Sequence, residues 1–262
     1  MPHIPRDGNL NSTLALLADG YEFVGKRCRR HQSDIFATRL ALRKAVCITG
    51  EEAARAFYEP GRFTRRGALP PTALLLLQDK GSVATLDGAA HRHRKAMFLS
   101  LMTAAAVDRL ADIMAEEWHM RLERWARRDA VVLHDGSRAI LTRAICRWAS
   151  IPLAAGEAGR RTREFGAMID GAGSVGPRNW RGLLLRARTE RWARGVIARA
   201  RSGELAPPPG SALHTIAWHR EADGALLDAA VAAVELLNVL RPTVAIDRYI
   251  TFAALALHEH PA

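Results

Sequence analysis

Apolar residues in the second half of this chain recur at the three- and four-residue spacing of helices. Val107, Leu110, Met114, Trp118, Leu122 and Trp125 predict a helix with that stripe turned to the core. Ile140, Ile145 and Trp148 mark the apolar side of a helix over 137–149. Two more are expected over 161–171 and 182–202, separated by the glycine-rich DGAGSVGPRNW. A last apolar run starts near Ala225 and continues to about His260. As one helix of about 36 residues it would measure about 54 Å and cross a whole domain. Pro261 is a natural stop for it. Nearer the N-terminus, Ser12 is placed to cap a helix over 12–30, with Leu14, Leu16, Leu17, Tyr21, Phe23 and Val24 as apolar positions. DIFATRLALRKAVCIT (34–49) reads as two short strands with a turn near Leu42, and AVVLHD (130–135) as another strand. Glu51–Tyr58 is a short helix stopped by Pro60 and Gly61, residues 61–87 are irregular, and a helix over 88–101 follows Asp87. The fold class is therefore mainly α with a small β element, in a single domain over 1–262.

Composition adds little to this picture: 48% hydrophobic and 25% charged residues are ordinary for a soluble globular chain. The net charge of +11 is almost wholly arginine, the lysines being Lys26, Lys44, Lys80 and Lys95. The arginines are spread out, with no basic stripe interleaved with aromatics, so nucleic acid is not an expected partner. MPHIPRDGNL carries no targeting pattern, and no apolar run reaches the ~18 residues of a spanning helix. A cytoplasmic protein without a transmembrane segment is expected. Cys28, Cys47 and Cys146 form no CxxC, which argues against a disulfide framework and a structural zinc site.

Candidate chemistry concentrates in ELLNVLRPTVAID (235–247). On a helix, Arg241 neighbours Leu237, Asn238, Val244 and Ala245, none acidic; Glu235 and Asp247 lie six residues away. A buried charge without a partner costs several kcal/mol. Arg241 must then reach solvent, meet an acid from elsewhere in the chain, or hold an acidic ligand, whose carboxylate its fork of donors would match. Pro242 has no N–H for the Asn238 carbonyl, so the helix should bend there and open a groove beside Arg241. In LDGAAHRHRKAMFLSLM, His91 and Lys95 share a helix face, whereas His91 and His93 do not, which disfavours a metal pair. That basic face is either solvated or suited to the acidic edge of a flat apolar ligand. HEH (258–260) has the same spacing problem and reads as a surface helix end.

Taken together, DGAAHRHRKAMFLSLM, VGPRNW, RFTRRGALP and above all ELLNVLRPTVAIDRYITFAALALHEHP resemble the bacterial fatty-acid peroxygenases (α/β-hydroxylases) of the cytochrome P-450 superfamily. The resemblance runs in order along essentially the whole chain. It implies the N-terminal part of the P-450 fold, ending with its long central helix. It also implies haem b as cofactor, hydrogen peroxide as direct co-substrate, a fatty acid as substrate and no redox partner. Arg241 and Pro242 stand where ordinary monooxygenases carry an acid–alcohol pair. By this resemblance Arg241 binds the fatty acid's carboxylate, which then serves as general acid–base and fixes the α and β carbons near the oxidant. His91 and Lys95 would meet the haem propionates, helped by Arg65 or Arg66.

Departures from the family pattern are Thr85, where relatives often have Gln or His; Gln78 and Asp79, where they tend to have an apolar residue and Gly; and Ala172, where many have Phe. Threonine at 85 favours hydroxylation over decarboxylation, and Ala172 implies a wider acyl channel. The family's axial cysteine and Glu-x-x-Arg pair would lie beyond residue 262, so no metal ligand is expected here. Cys28 in FVGKRCRRH imitates the cysteine loop without its following glycine. An incomplete fold that is inactive alone is the expectation. The alternative is a non-catalytic helical module that binds acyl chains or anionic lipid through its basic faces.

Overall fold

The structure, a computed structural model, describes residues 4–79, 81–154 and 156–261. The chain divides into two compact units, Met1–Thr64 and Arg65–Ala262.

The first unit contains α1 (Thr13–Asp19), α2 (Phe23–His31), the strands β1 (Ile35–Leu40) and β2 (Arg43–Ile48), and α3 (Glu51–Tyr58). The helix expected over 12–30 is split by a 3-10 turn, Gly20–Glu22, because Gly20 adopts φ 54°. Ser12 does not cap with its side chain. Its hydroxyl donates to Asp7 Oδ2 at 2.9 Å and accepts from Thr38 Oγ1 at 2.9 Å. Asp7 also accepts from the buried Arg27 Nε at 2.8 Å. The two expected strands form an antiparallel hairpin from Ile35↔Ile48 to Leu40↔Arg43. Its turn residues Ala41 and Leu42 both have positive φ, 49° and 63°, the geometry of a two-residue hairpin loop made without glycine.

The second unit contains α4 (Pro71–Leu77), α5 (Gly88–Leu101), α6 (Ala104–Trp125), α7 (Leu133–Trp148), α8 (Glu157–Gly171), α9 (Pro177–Arg201), α10 (Ala212–Ala217), α11 (Ala229–Val244) and α12 (Asp247–Glu259). Its core is built where α7, α8, α9 and α11 pack, around Ile145, Phe165, Met168, Ile197, Leu237 and Leu240. Residues 61–87, expected to be irregular, contain α4, which starts with Pro71 in its first turn. Three further expectations need correction here. Residues 130–132 form no strand, and α7 begins at Leu133; no described strand lies beside them to take up their backbone groups. On α6, Leu110, Met114, Trp118 and Trp125 of the expected stripe are half-buried beside Ile113 and the buried Glu117, but Val107 and Leu122 are exposed. Glu117 accepts from Arg147 of α7 at 2.8 Å, so an ion pair takes part of the contact that apolar residues were expected to fill.

The third correction concerns the long helix. It begins at Ala229, where Asp228 Oδ1 caps the N–H groups of Ala230 and Val231, and it is interrupted at residues 245–246. The interruption does not fall at Pro242, although that ring is where a bend was expected. Leu236, Leu237, Leu240 and Val244 are fully or almost fully buried, which holds the turn containing Pro242 in place. Beyond it, the Ile246 N–H bonds the Thr243 carbonyl at 3.2 Å, a tightened turn. Asp247 then opens α12, its buried carboxylate accepting from Arg138 Nε of α7 at 2.5 Å.

By length and apolar character the run Ala229–Glu259 could cross a membrane, yet over half of its most apolar window is buried inside the protein. Within it, Glu235, Arg241 and Asp247 are all buried and meet polar partners from other helices, as in a core helix. α12 is different. Tyr249, Phe252 and Leu257 are 76%, 62% and 75% exposed. Replacing Phe252 and Leu257 by Ser should raise soluble yield and reduce binding of a hydrophobic dye, with an unchanged circular-dichroism spectrum. Unaltered dye binding would mean that this face is covered in solution.

Candidate active site around Arg241

Arg241 sits on α11 with its guanidinium directed into the protein, 4% exposed. Its Nη1 donates to the Leu76 carbonyl at the end of α4, at 3.3 Å. Among the described residues no carboxylate lies within ion-pair distance of it. Of the three fates open to this side chain, solvent exposure and capture by an acid of its own chain are therefore both absent. Burial pulls its pKa down to about 9, well below the ordinary guanidinium value, and the neighbouring Arg186 pushes in the same direction. Pro242, beside it, is on the exposed flank of the helix.

Arg186 escaped the sequence reading. It lies in the arginine-rich α9 with nothing in its spacing to mark it, yet it is 3% exposed. Its Nη1 donates to the same Leu76 carbonyl at 2.7 Å, and its Nε to Glu190 at 2.6 Å. Asp79, one of the family departures, stands 3.8 Å from Arg186 Nη2, which has no hydrogen-bond partner among the described residues. Two buried guanidinium groups thus converge on one carbonyl oxygen. Burial holds the Glu190 carboxyl above its usual range even with Arg186 beside it.

Glu235, one and a half turns before Arg241, is fully buried and tied elsewhere. It accepts from Arg94 Nη1 of α5 at 2.8 Å, the Val83 N–H at 2.7 Å and Asn238 Nδ2 at 2.9 Å. Arg94 Nη2 also pairs with Glu221. This network explains why the acid on α11 does not neutralise Arg241.

The other sequence candidates form a second group. His91 is half-buried and Lys95 exposed, one turn apart on α5. Arg65 is exposed; its N–H bonds Asp87 Oδ1 at 2.9 Å. Burial lowers the His91 pKa first, and the positive charges of Arg65 and Lys95 lower it further, so a neutral imidazole lies in the field of these two cations. Arg66 is exposed. Thr85 is half-buried in a 3-10 turn, its hydroxyl donating to the Ser82 carbonyl at 2.8 Å. Ala172 follows the end of α8 and packs on the core.

An electropositive edge at His91, Lys95 and Arg65 is chemically suited to the carboxylates of a haem. A thiolate is less readily found. Cys146 is buried and its thiol is pushed up to about 12, and burial also raises Cys47. Cys28 Sγ lies 3.7 Å from Thr49 Oγ1 in the first unit. Among the described residues no cluster of three His, Cys, Asp or Glu could hold a metal ion.

No family model matches the chain. Solved structures do. A wild-type cytochrome P-450 EX alpha (CYP152N1) with myristic acid is 41% identical, at a TM-score of 0.93 over 100% of this chain and 63% of that one. A cytochrome P-450 SP alpha (CYP152B1) in complex with (R)-ibuprophen is 44% identical, at 0.91 over 95% and 61%. The chain belongs to the CYP152 cytochromes P-450. A variant of cytochrome P-450 OleT in complex with arachidonic acid aligns too, 30% identical, at 0.94 over 99% and 62%. This CYP152 chain therefore spans somewhat more than three fifths of the length of its solved relatives, as a mainly helical part of the P-450 fold with one small sheet.

Proposed function

We propose that this CYP152 chain supplies the substrate-carboxylate site of a peroxide-dependent fatty-acid hydroxylase. The observation that carries the reading is Arg241, buried, cationic and without an acid of its own. A fatty-acid carboxylate is the missing partner. It regains, through charge-assisted hydrogen bonds, part of what desolvation of the guanidinium costs. The two relatives bound to myristic and arachidonic acid support this substrate class.

When bound, haem b supplies the oxidising chemistry, with hydrogen peroxide as oxidant and no redox partner. His91, Lys95 and Arg65 would hold its propionates, with Arg66 nearby in sequence. Arg241 fixes the substrate's head group, so the reacting carbons are those next to it, α or β. The carboxylate so held would move the peroxide proton as general acid–base, since no acid among the described residues pairs with Arg241. Pro242 removes a backbone donor next to that site. Thr85, its hydroxyl engaged with Ser82, offers a weak proton donor, which favours hydroxylation over decarboxylation. Ala172 leaves room for the acyl chain. Turnover needs a thiolate that Cys146 and Cys47 are poorly placed to provide.

Binding is tested with carboxyl-labelled myristate by carbon NMR. Because Arg241 titrates near 9 in the unliganded fold and its charge is required, affinity should be flat below that pH. It should weaken about tenfold by one unit above it. The depressed pKa destabilises the free protein wherever the buried guanidinium is charged, so its stability should rise as pH increases above about 9. Unchanged affinity in Arg241→Met would remove Arg241 from the site. The haem- and peroxide-supplemented chain should form no hydroxymyristate; rapid formation would refute the need for a further thiolate.

A further inference from the structure

Away from Arg241, α8 and α9 border an open cleft of about 750 Å³. Arg160, Arg163, Arg181, Arg188 and Arg191 line it and are exposed. None of these five is in an ion pair among the described residues. Its acids are Glu157 and Glu164, so six arginines, with Arg161, face two glutamates.

Arg161 lies at the floor, 4% exposed, its guanidinium 4.9 Å from the Trp192 ring centre. Its Nη1 comes within 2.7 Å of Glu164 Oε2 but out of line for a hydrogen bond, and that oxygen accepts from Thr189 Oγ1 at 3.0 Å. Its buried Nε has no partner at all among the described residues. A cation sunk into a cleft with donors unused, under a ring of unpaired cations, is complementary to phosphate.

The rim decides which phosphate. Trp180 and Leu184 are 66% and 59% exposed. Their spacing puts them on the same face of α9 as Arg188 and Arg191. Indole and leucine among arginines suit the boundary between lipid head groups and acyl chains. Nucleic acid would stack successive bases on several free aromatic faces, whereas Trp192 is covered by Arg161 and Trp180 is left alone. We propose that this cleft docks the protein on an anionic phospholipid surface. The cleft is separate from the carboxylate site, so the two proposals stand or fall apart.

The test is co-sedimentation of the full chain with phosphatidylcholine vesicles, with and without phosphatidylglycerol. Binding should require phosphatidylglycerol and weaken with salt. Arg188→Gln with Arg191→Gln should reduce partitioning by about fivefold for each arginine removed. Trp180→Ser should reduce it further at high salt. Arg241→Met should not alter it. Arg43→Gln with Lys44→Gln, on the exposed hairpin of the first unit, should leave it unchanged. An equal loss in that control would assign binding to the diffuse +11 charge and overturn the proposal. Tighter binding to a single-stranded oligonucleotide, lost in the same α9 variant, would overturn it in favour of nucleic acid.

Discussion

Arg241→Met should make the protein more stable and deprive it of its fatty acid. The guanidinium is 4% exposed, bonded to a single carbonyl at 3.3 Å and repelled by Arg186. Methionine fills similar length without the charge. Relief of an uncompensated buried cation is expected to be worth about 1–4 kcal/mol. For a unit of this size that is a rise of about 2–4 °C in melting temperature per kcal/mol. Myristate should lose its charge-assisted contact, about 2–5 kcal/mol, or about 30- to 5,000-fold in affinity. The two effects have opposite signs, and that is the diagnostic. A residue kept for structure would lose stability on replacement; a residue kept for a ligand holds stability back until the ligand arrives. Thermal denaturation and an NMR titration on the same preparation separate the cases. A lower melting temperature with unchanged myristate binding would make Arg241 structural.

Arg94→Met should have the opposite result. Glu235 is fully buried, and among the described residues Arg94 is its one ion-pair partner, at 2.8 Å. Without it the carboxylate keeps the Val83 N–H and Asn238 Nδ2, which are neutral donors. Breaking a buried pair from one side costs about 3–5 kcal/mol, a large part of a domain's net stability. Glu235 already has its carboxyl pKa raised by burial, and the loss of Arg94 raises it further. An acid whose folded pKa lies above its unfolded value of 4.5 loses stability as pH rises between the two. The penalty in Arg94→Met should therefore be small in acid and grow toward neutral pH in urea denaturation. Adding Glu235→Gln should return most of it. A penalty independent of pH would indicate lost packing of the arginine stem instead.

These two arginines show what could be read without coordinates. Arg241 was legible because its helical neighbours could be enumerated: none was acidic, so an external partner was required. Arg186 was not, because its significance lies in a carbonyl 110 residues away. Arg94 sat unremarked between His91 and Lys95, one residue from each face that was considered, while its partner is 141 positions distant. Periodicity found the helices, and the β1–β2 hairpin came through because its turn and alternation are local. It misjudged α6, where Glu117 and Arg147 fill part of the interface. It also misjudged the end of α11, where Asp247 answers to Arg138 rather than to Pro242. Local chemistry was visible; charge pairs closed over long loops were not.

Gly182 ties the geometry together. A Cβ there would lie 2.9 Å from the Ala167 carbonyl and 3.1 Å from Leu76 Cδ2, so α9 passes α8 and α4 at a distance that no side chain permits. Arg186 is one turn further along the same helix, and Leu76 carries the oxygen it shares with Arg241. A methyl added at 182 would prise the helix outward and loosen the electrical coupling between two guanidinium groups that it never touches. The acidity of Arg241 is thus set partly by an atom the protein leaves out.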